Sequence, residues 1–254
     1  MTPNDNIRLI IERQKLLESA VTDAQRKLYE MLLEDIEKNY DSPSKIVLIY
    51  KKFKAVVNDA IIIQFVKDIN SIVAINESYF TDFLDISRPK VVGATNEAKL
   101  FLQDRFGVNF ETGEIVKNSY LDTFIADDSV LNDIRKFTFR SRTADIGYSK
   151  YRKGLAKLVN GSNGNAGILE RHYQTFAYDT YQQTDRVIHK QVSEKLGLRK
   201  YLYIGGEMAT TRPFCHARNG KVFTSEEIKS WANLNFQGKS NPYDPFINCG
   251  GYNC

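Results

Sequence analysis

IRLIIERQKLLESAVTDAQRKLYEMLLEDIEKN, residues Ile7 to Asn39, is the stretch that decides the fold class. In it Ile10, Leu17, Val21, Ala24, Leu28, Met31, Leu32 and Ile36 recur with charged residues between them. That spacing lines one face of a long helix, or of two helices joined end to end, with apolar side chains. Asp41-Ser42-Pro43-Ser44 interrupts the pattern. Pro43 suits the start of the next helix, because its missing N–H is one that a first helical turn leaves unused. From Ser44 to Ile75 the stripe Ile61, Phe65, Ile69, Ile72 and Val73 keeps helical spacing. The run Ala60-Ile61-Ile62-Ile63 also suits a strand taken alone, but the spacing after it favours the helix.

Outward from this pair, Pro89 and Gly93 mark a break before a short helix from Thr95 to Phe106, which the turn-like Asn109-Phe110-Glu111-Thr112-Gly113 ends. Ser119 to Val159 reads as helical in pieces, with Gly147 and Gly154 as weak points. Residues 160–167, rich in Gly, Asn and Ser, form the clearest loop and the best hinge candidate. Beyond it Leu169, Tyr173, Phe176, Tyr181, Thr184, Ile188, Val192 and Leu196 trace one face of a helix that Gly197 can end. Lys200 to Gly206 has the content of a short strand. Thr224 and Glu227 fit a capping box, which puts Trp231 on the short helix that follows. The remaining Gly- and Pro-rich tail is loop. The expected fold class is therefore mainly α: an extended helical N-terminal body with a small α+β C-terminal module. Its expected domains are a helical arm over 1–159, a flexible hinge over 160–167 and a C-terminal module over 168–254, made of a helix at 168–196 and a compact part at 200–254.

The chain has 254 residues and 42% hydrophobic content, enough for one large domain or two modest ones. Lys and Arg number 35 against 31 Asp and Glu, a net charge of +4 too weak to define a partner by itself. Met1-Thr2-Pro3-Asn4-Asp5-Asn6 lacks the basic and apolar regions of a secretory signal, and no run reaches the length of a membrane helix. The expectation is a soluble chain made in a reducing cytoplasm.

All three cysteines, Cys215, Cys249 and Cys254, lie in the last forty residues. An odd number favours thiols or a metal site over a disulfide framework. Three readings stand: a structural zinc on the three thiolates with a fourth ligand, buried reduced cysteines, or a Cys249 to Cys254 disulfide formed outside the cell. The fourth ligand is open between Asp244 and a residue of another subunit; His216 is a poorer one, because side chains of neighbouring residues diverge. The same divergence argues against Cys215 and His216 as a nucleophile and base. Glu170, Arg171 and His172 read as a charged helix face more than as an acid-base set. No Walker loop, dinucleotide fingerprint or His-Glu-x-x-His zinc helix occurs.

A basic stretch holds Arg135, Lys136, Arg140, Arg142, Lys150, Arg152, Lys153 and Lys157 against the single acid Asp145, with Phe137, Phe139, Tyr148 and Tyr151 interleaved. It suits a solvated helix face, an acidic partner protein, or the phosphates of a nucleic acid.

In the C-terminal third, the order of motifs is informative. The helix Leu169 to Asp179 is followed by Tyr201-Leu202-Tyr203-Ile204-Gly205-Gly206, Thr210-Thr211-Arg212-Pro213-Phe214-Cys215, Asn219-Gly220-Lys221-Val222-Phe223-Thr224 and Gly250-Gly251-Tyr252-Asn253-Cys254. Over about 85 residues this resembles the tailed-phage head morphogenesis family, the Mu-type minor head proteins. Arg212, Cys215, Gly220, Lys221, Cys249, Asn253 and Cys254 fall on the family pattern, and Trp231 lies within the same module. Where relatives continue with Arg and then Cys or His, this sequence ends at Cys254.

The resemblance implies a structural virion protein at the capsid interior or portal vertex, made in the host cytoplasm and present in few copies. Its implied partners are the portal protein, other capsid or scaffold proteins, and packaged double-stranded DNA, with no membrane, no small-molecule substrate and no cofactor beyond structural zinc. An ejected DNA-binding protein, a neck or tail adaptor, and a small enzyme such as an ADP-ribosyltransferase or peptidase are the alternatives.

Overall fold

A computed structural model describes residues 1–39, 43–162, 164–205, 209 and 211–251. The fold is mainly α-helical, with long helices in the N-terminal part and a two-stranded sheet in a small C-terminal region. In chain order the elements are α1 (Pro3–Asn39), α2 (Pro43–Ser78), a π-helical turn (Tyr79–Phe83), α3 (Arg88–Phe106), α4 (Tyr120–Ala126), α5 (Ser129–Thr143), α6 (Tyr148–Asn160) and α7 (Ile168–Lys195). Then come β1 (Lys200–Leu202), α8 (Pro213–His216), β2 (Val222–Thr224), α9 (Ser225–Ser230), a 3₁₀ turn (Trp231–Asn233) and α10 (Pro245–Asn248). Pro43 opens α2, and the isoleucine run at 61–63 lies inside that helix. Among the described residues no helix is long and apolar enough to cross a membrane.

The chain forms two compact units: residues 1–11, 69–105 and 178–254 make one, and residues 12–68 and 106–177 the other. The segment 160–167, expected as a hinge, falls inside the second.

In the second unit, Leu17, Leu28, Leu32, Phe65, Ile134, Tyr151, Leu155 and Tyr173 are buried. Phe124 stacks on Phe176 with ring centroids 4.3 Å apart, and Phe65 meets Phe106 edge-on at 5.4 Å. The start of α7 is capped from far away in sequence: buried Gln25 accepts through Oε1 from the amides of Leu169 and Glu170, each at 3.1 Å. These are two of the donors that a helix start leaves without an intrahelical partner. Gly167 must be glycine here, since a Cβ would collide with the Gln25 side chain and the Val159 carbonyl. Ser162 and Asn165 close the loop before it by a β-bridge.

In the first unit, Ile69, Ile72, Ala98, Leu102, Tyr181, Ile188 and Val192 are buried. A polar chain crosses this core. Asn76 Nδ2 donates to Ile72 O and to Asp185 Oδ1, both at 3.0 Å, and Asp185 lies 3.6 Å from His189 Nε2. His189 rests between Tyr79 and Phe80, with centroids at 5.3 and 5.1 Å, where the helix widens into its π turn.

Candidate functional site

The C-terminal region is built around Phe214, Ile228 and Trp231, with Tyr201, Tyr203, Cys215, Phe223, Phe236 and Phe246 packed against them. Trp231 receives Tyr203, Phe214 and Phe223 edge-on at 5.9, 5.5 and 5.0 Å, an arrangement favoured by the ring quadrupoles. Two short strands bring these rings together. β1 and β2 pair antiparallel, Lys200 opposite Thr224, Tyr201 opposite Phe223 and Leu202 opposite Val222. The pleat sends Tyr201 and Phe223 to the cluster and leaves Leu202 and Val222 48% and 59% exposed. Thr224 caps α9 with the expected box: Glu227 N donates to Thr224 Oγ1 at 3.3 Å, and Thr224 N donates to Glu227 Oε2 at 2.7 Å. Trp231 sits one residue beyond α9, in the 3₁₀ turn rather than on the helix.

Arg212 ties the loops of this region. Its Nη1 donates to Gly250 O at 3.0 Å. Gly238, with φ at +84°, passes so close that a Cβ there would stand 2.6 Å from the guanidinium carbon. Gly220 takes φ at +73° and donates its amide to Tyr203 O at 2.9 Å, while Lys221 Nζ donates to Ala217 O at 2.7 Å. Arg212, Gly220, Lys221 and Trp231 thus belong to one small structure, and each is used to hold it. Arg218 had no signal in the sequence. Its guanidinium lies over the Phe214 ring at 3.7 Å and near Trp231 at 4.8 Å.

Of the candidate metal ligands, Cys215 and Cys249 are half-buried and not joined to each other by a disulfide. Cys249 Sγ is 3.7 Å from Phe246 O. His216 is exposed while Cys215 packs on the cluster. Asp244 is engaged elsewhere, its Oδ1 accepting from Phe246 N at 2.9 Å and its Oδ2 paired with Lys190 Nζ at 2.8 Å. Cys254 and Asn253 lie outside the described residues. Among the described residues no group of three His, Cys, Asp or Glu is placed to hold a metal ion.

Glu170, Arg171 and His172 are used structurally. Glu170 Oε2 accepts from Gly167 N at 3.3 Å, and Arg171 Nη1 donates to Ala166 O at 2.9 Å. His172 stacks on Phe124 at 4.8 Å, with Nδ1 3.3 Å from Ser129 Oγ. Burial pulls the His172 pKa below its ordinary value; Asp127 opposes the shift and Lys54 adds to it. Burial also pushes the neighbouring Tyr173 hydroxyl up to about 12.

All eight cations of the basic stretch are exposed, on α5 and α6. The two helices form a hairpin through Phe137 and Tyr151, with ring centroids 5.5 Å apart, and through Thr138 Oγ1 and Tyr151 Oη at 3.0 Å. Gly147 caps the start of α6, but Gly154 lies within the helix and does not break it. Phe139 is 70% exposed among the arginines.

Comparison with known proteins yields no match: no family model fits the chain, and no curated protein or solved structure is significantly similar to it.

Proposed function

We propose that the chain is a structural minor head protein of a tailed bacteriophage, acting at the portal vertex and assisting head assembly, DNA packaging or genome delivery. One observation carries the reading. The motif residues that resemble the head morphogenesis family are scattered over some forty positions, yet Arg212, Cys215, Gly220, Lys221, Trp231 and Cys249 share one aromatic-centred structure. Within it Arg212 and Lys221 donate to backbone carbonyls, which is the work of a fixed anchor rather than of a reaction centre.

Glu170 and Arg171 hold the loop before α7 through Gly167 N and Ala166 O, and His172 stacks on Phe124, so these three side chains help build the start of that helix. Apolar rings and Arg212 hold the loops of the anchor together. A metal reading now turns on Cys254 and on elemental analysis of the purified protein.

The test is the particle of the phage that encodes the chain. Purified heads should contain a few copies, and side-chain-resolution imaging of the portal vertex should find them against the portal. Absence from purified heads, together with no retention by the co-expressed portal protein, would overturn the reading.

A further inference from the structure

We propose that the α5–α6 hairpin is a sequence-independent binding surface for duplex DNA, with Phe139 as its apolar contact. The charge is local. The segment 135–157 holds eight cations and one acid, and without it the rest of the chain carries slightly more acids than cations. A solvated helix face usually intersperses cations with carboxylates one turn away. Here, among the described residues, Lys136 is the only one of the eight with a carboxylate within 4 Å, that of Asp133 at 3.9 Å.

The geometry is that of two cationic strips. Arg135, Phe139 and Arg142 stand at i, i+4 and i+7 on α5, flanked by Lys136 and Arg140. Lys150, Lys153 and Lys157 stand at i, i+3 and i+7 on α6. Each strip spans about 10 Å of helix axis. Both are carried on one hairpin, packed through Phe137, Thr138 and Tyr151.

The composition selects the partner. A protein interface needs an apolar centre of several residues from which charge is depleted, and this face has one phenylalanine among arginines and lysines. Single strands are tracked in grooves with successive stacking aromatics, whereas this hairpin exposes one ring, Phe139. Duplex DNA supplies a dense row of phosphates for the cations and a major groove about 12 Å wide that admits a helix. There Phe139 meets a sugar or base edge. The inference does not depend on the head-protein reading and is tested without particles.

The experiment measures anisotropy of a labelled mixed-sequence duplex of about 30 base pairs with the full-length purified protein. Affinity should fall about 150-fold between about 50 and about 200 mM salt if about four phosphates are neutralised. It should be indifferent to sequence. The double variant Arg135→Glu/Arg142→Glu should bind at least about tenfold more weakly. Phe139→Ser should weaken binding several-fold without altering the salt slope. Arg88→Glu/Lys90→Glu, which makes the same charge change on exposed positions of α3, should stay within about twofold of the parent. Circular dichroism checks that each variant is folded. Three results would overturn the proposal: equal weakening by the α3 pair, affinity insensitive to salt, or tighter binding of a single strand or of poly-glutamate than of the duplex.

Discussion

Arg212 reaches the Gly250 carbonyl across 38 positions of sequence and stands against the backbone of Gly238. A charged donor on a half-buried carbonyl contributes more than a neutral one, and its loss leaves the acceptor without that partner. Arg212→Ala should therefore lower stability by about 2 kcal/mol, read from urea unfolding followed by Trp231 fluorescence. A midpoint unchanged from the parent would mean that the guanidinium merely rests on the loop. His172 makes a second prediction. Burial lowers its folded pKa from the ordinary 6.5, so below that value the unfolded chain binds the extra proton first. Stability contributed by neutral His172 is then present near pH 7 and is lost as the pH falls below the ordinary 6.5. His172→Gln should flatten this part of the pH profile in urea midpoints; an equally steep profile in the variant would refute the assignment.

At the scale of elements, Gly154 sets two effects against each other. Alanine in a helix interior is favoured over glycine by about 1 kcal/mol. A Cβ at Gly154, however, would lie 2.7 Å from Phe137 Cζ across the hairpin. Gly154→Ala should bring no gain in the parent, and should recover about 1 kcal/mol when Phe137 is replaced by Leu. Thermal melts of the four-member cycle decide it, and a full gain in the parent background would show that Phe137 yields freely. The same contact explains why Gly154 reads as a weak point in sequence and is none in the structure. Signals contained in a few neighbouring residues were legible: Pro43 opening α2, Gly197 at φ +71° beyond α7, and the Thr224–Glu227 box. What escaped depends on distant partners. Pro89 sits in the first turn of α3, so that helix begins at Arg88 rather than after the Pro-Gly break. β2 is three residues long and exists because Tyr201 faces Phe223, and Gln25 serves α7 from 144 positions away. The aromatic cluster around Trp231 was visible only as composition, because its rings come from β1, α8, β2 and the tail.

At the scale of the whole molecule, the C-terminal region is not loose from the helix that precedes it. Arg186 Nη1 donates to Ile247 O at 3.2 Å, Lys190 pairs with Asp244, and the Lys190 ammonium lies 5.7 Å from the centre of the Phe246 ring. These ties run from α7 to α10 within one compact unit. Replacing Arg186 and Lys190 together by Ala should lower the urea midpoint seen by Trp231 fluorescence more than the midpoint seen by far-ultraviolet circular dichroism. Coincident shifts in both signals would argue that these ties merely decorate the surface. The close approach of Gly238 to Arg212 also reaches beyond this one chain. In descendants that keep Arg212 on the Gly250 carbonyl, a side chain at position 238 would have to push the guanidinium aside, whereas loss of the arginine removes that clash and leaves only the backbone turn, which asparagine visits more readily than other residues with a side chain. The two sites should drift together or not at all, a linked inheritance that sequencing of natural variants can read directly.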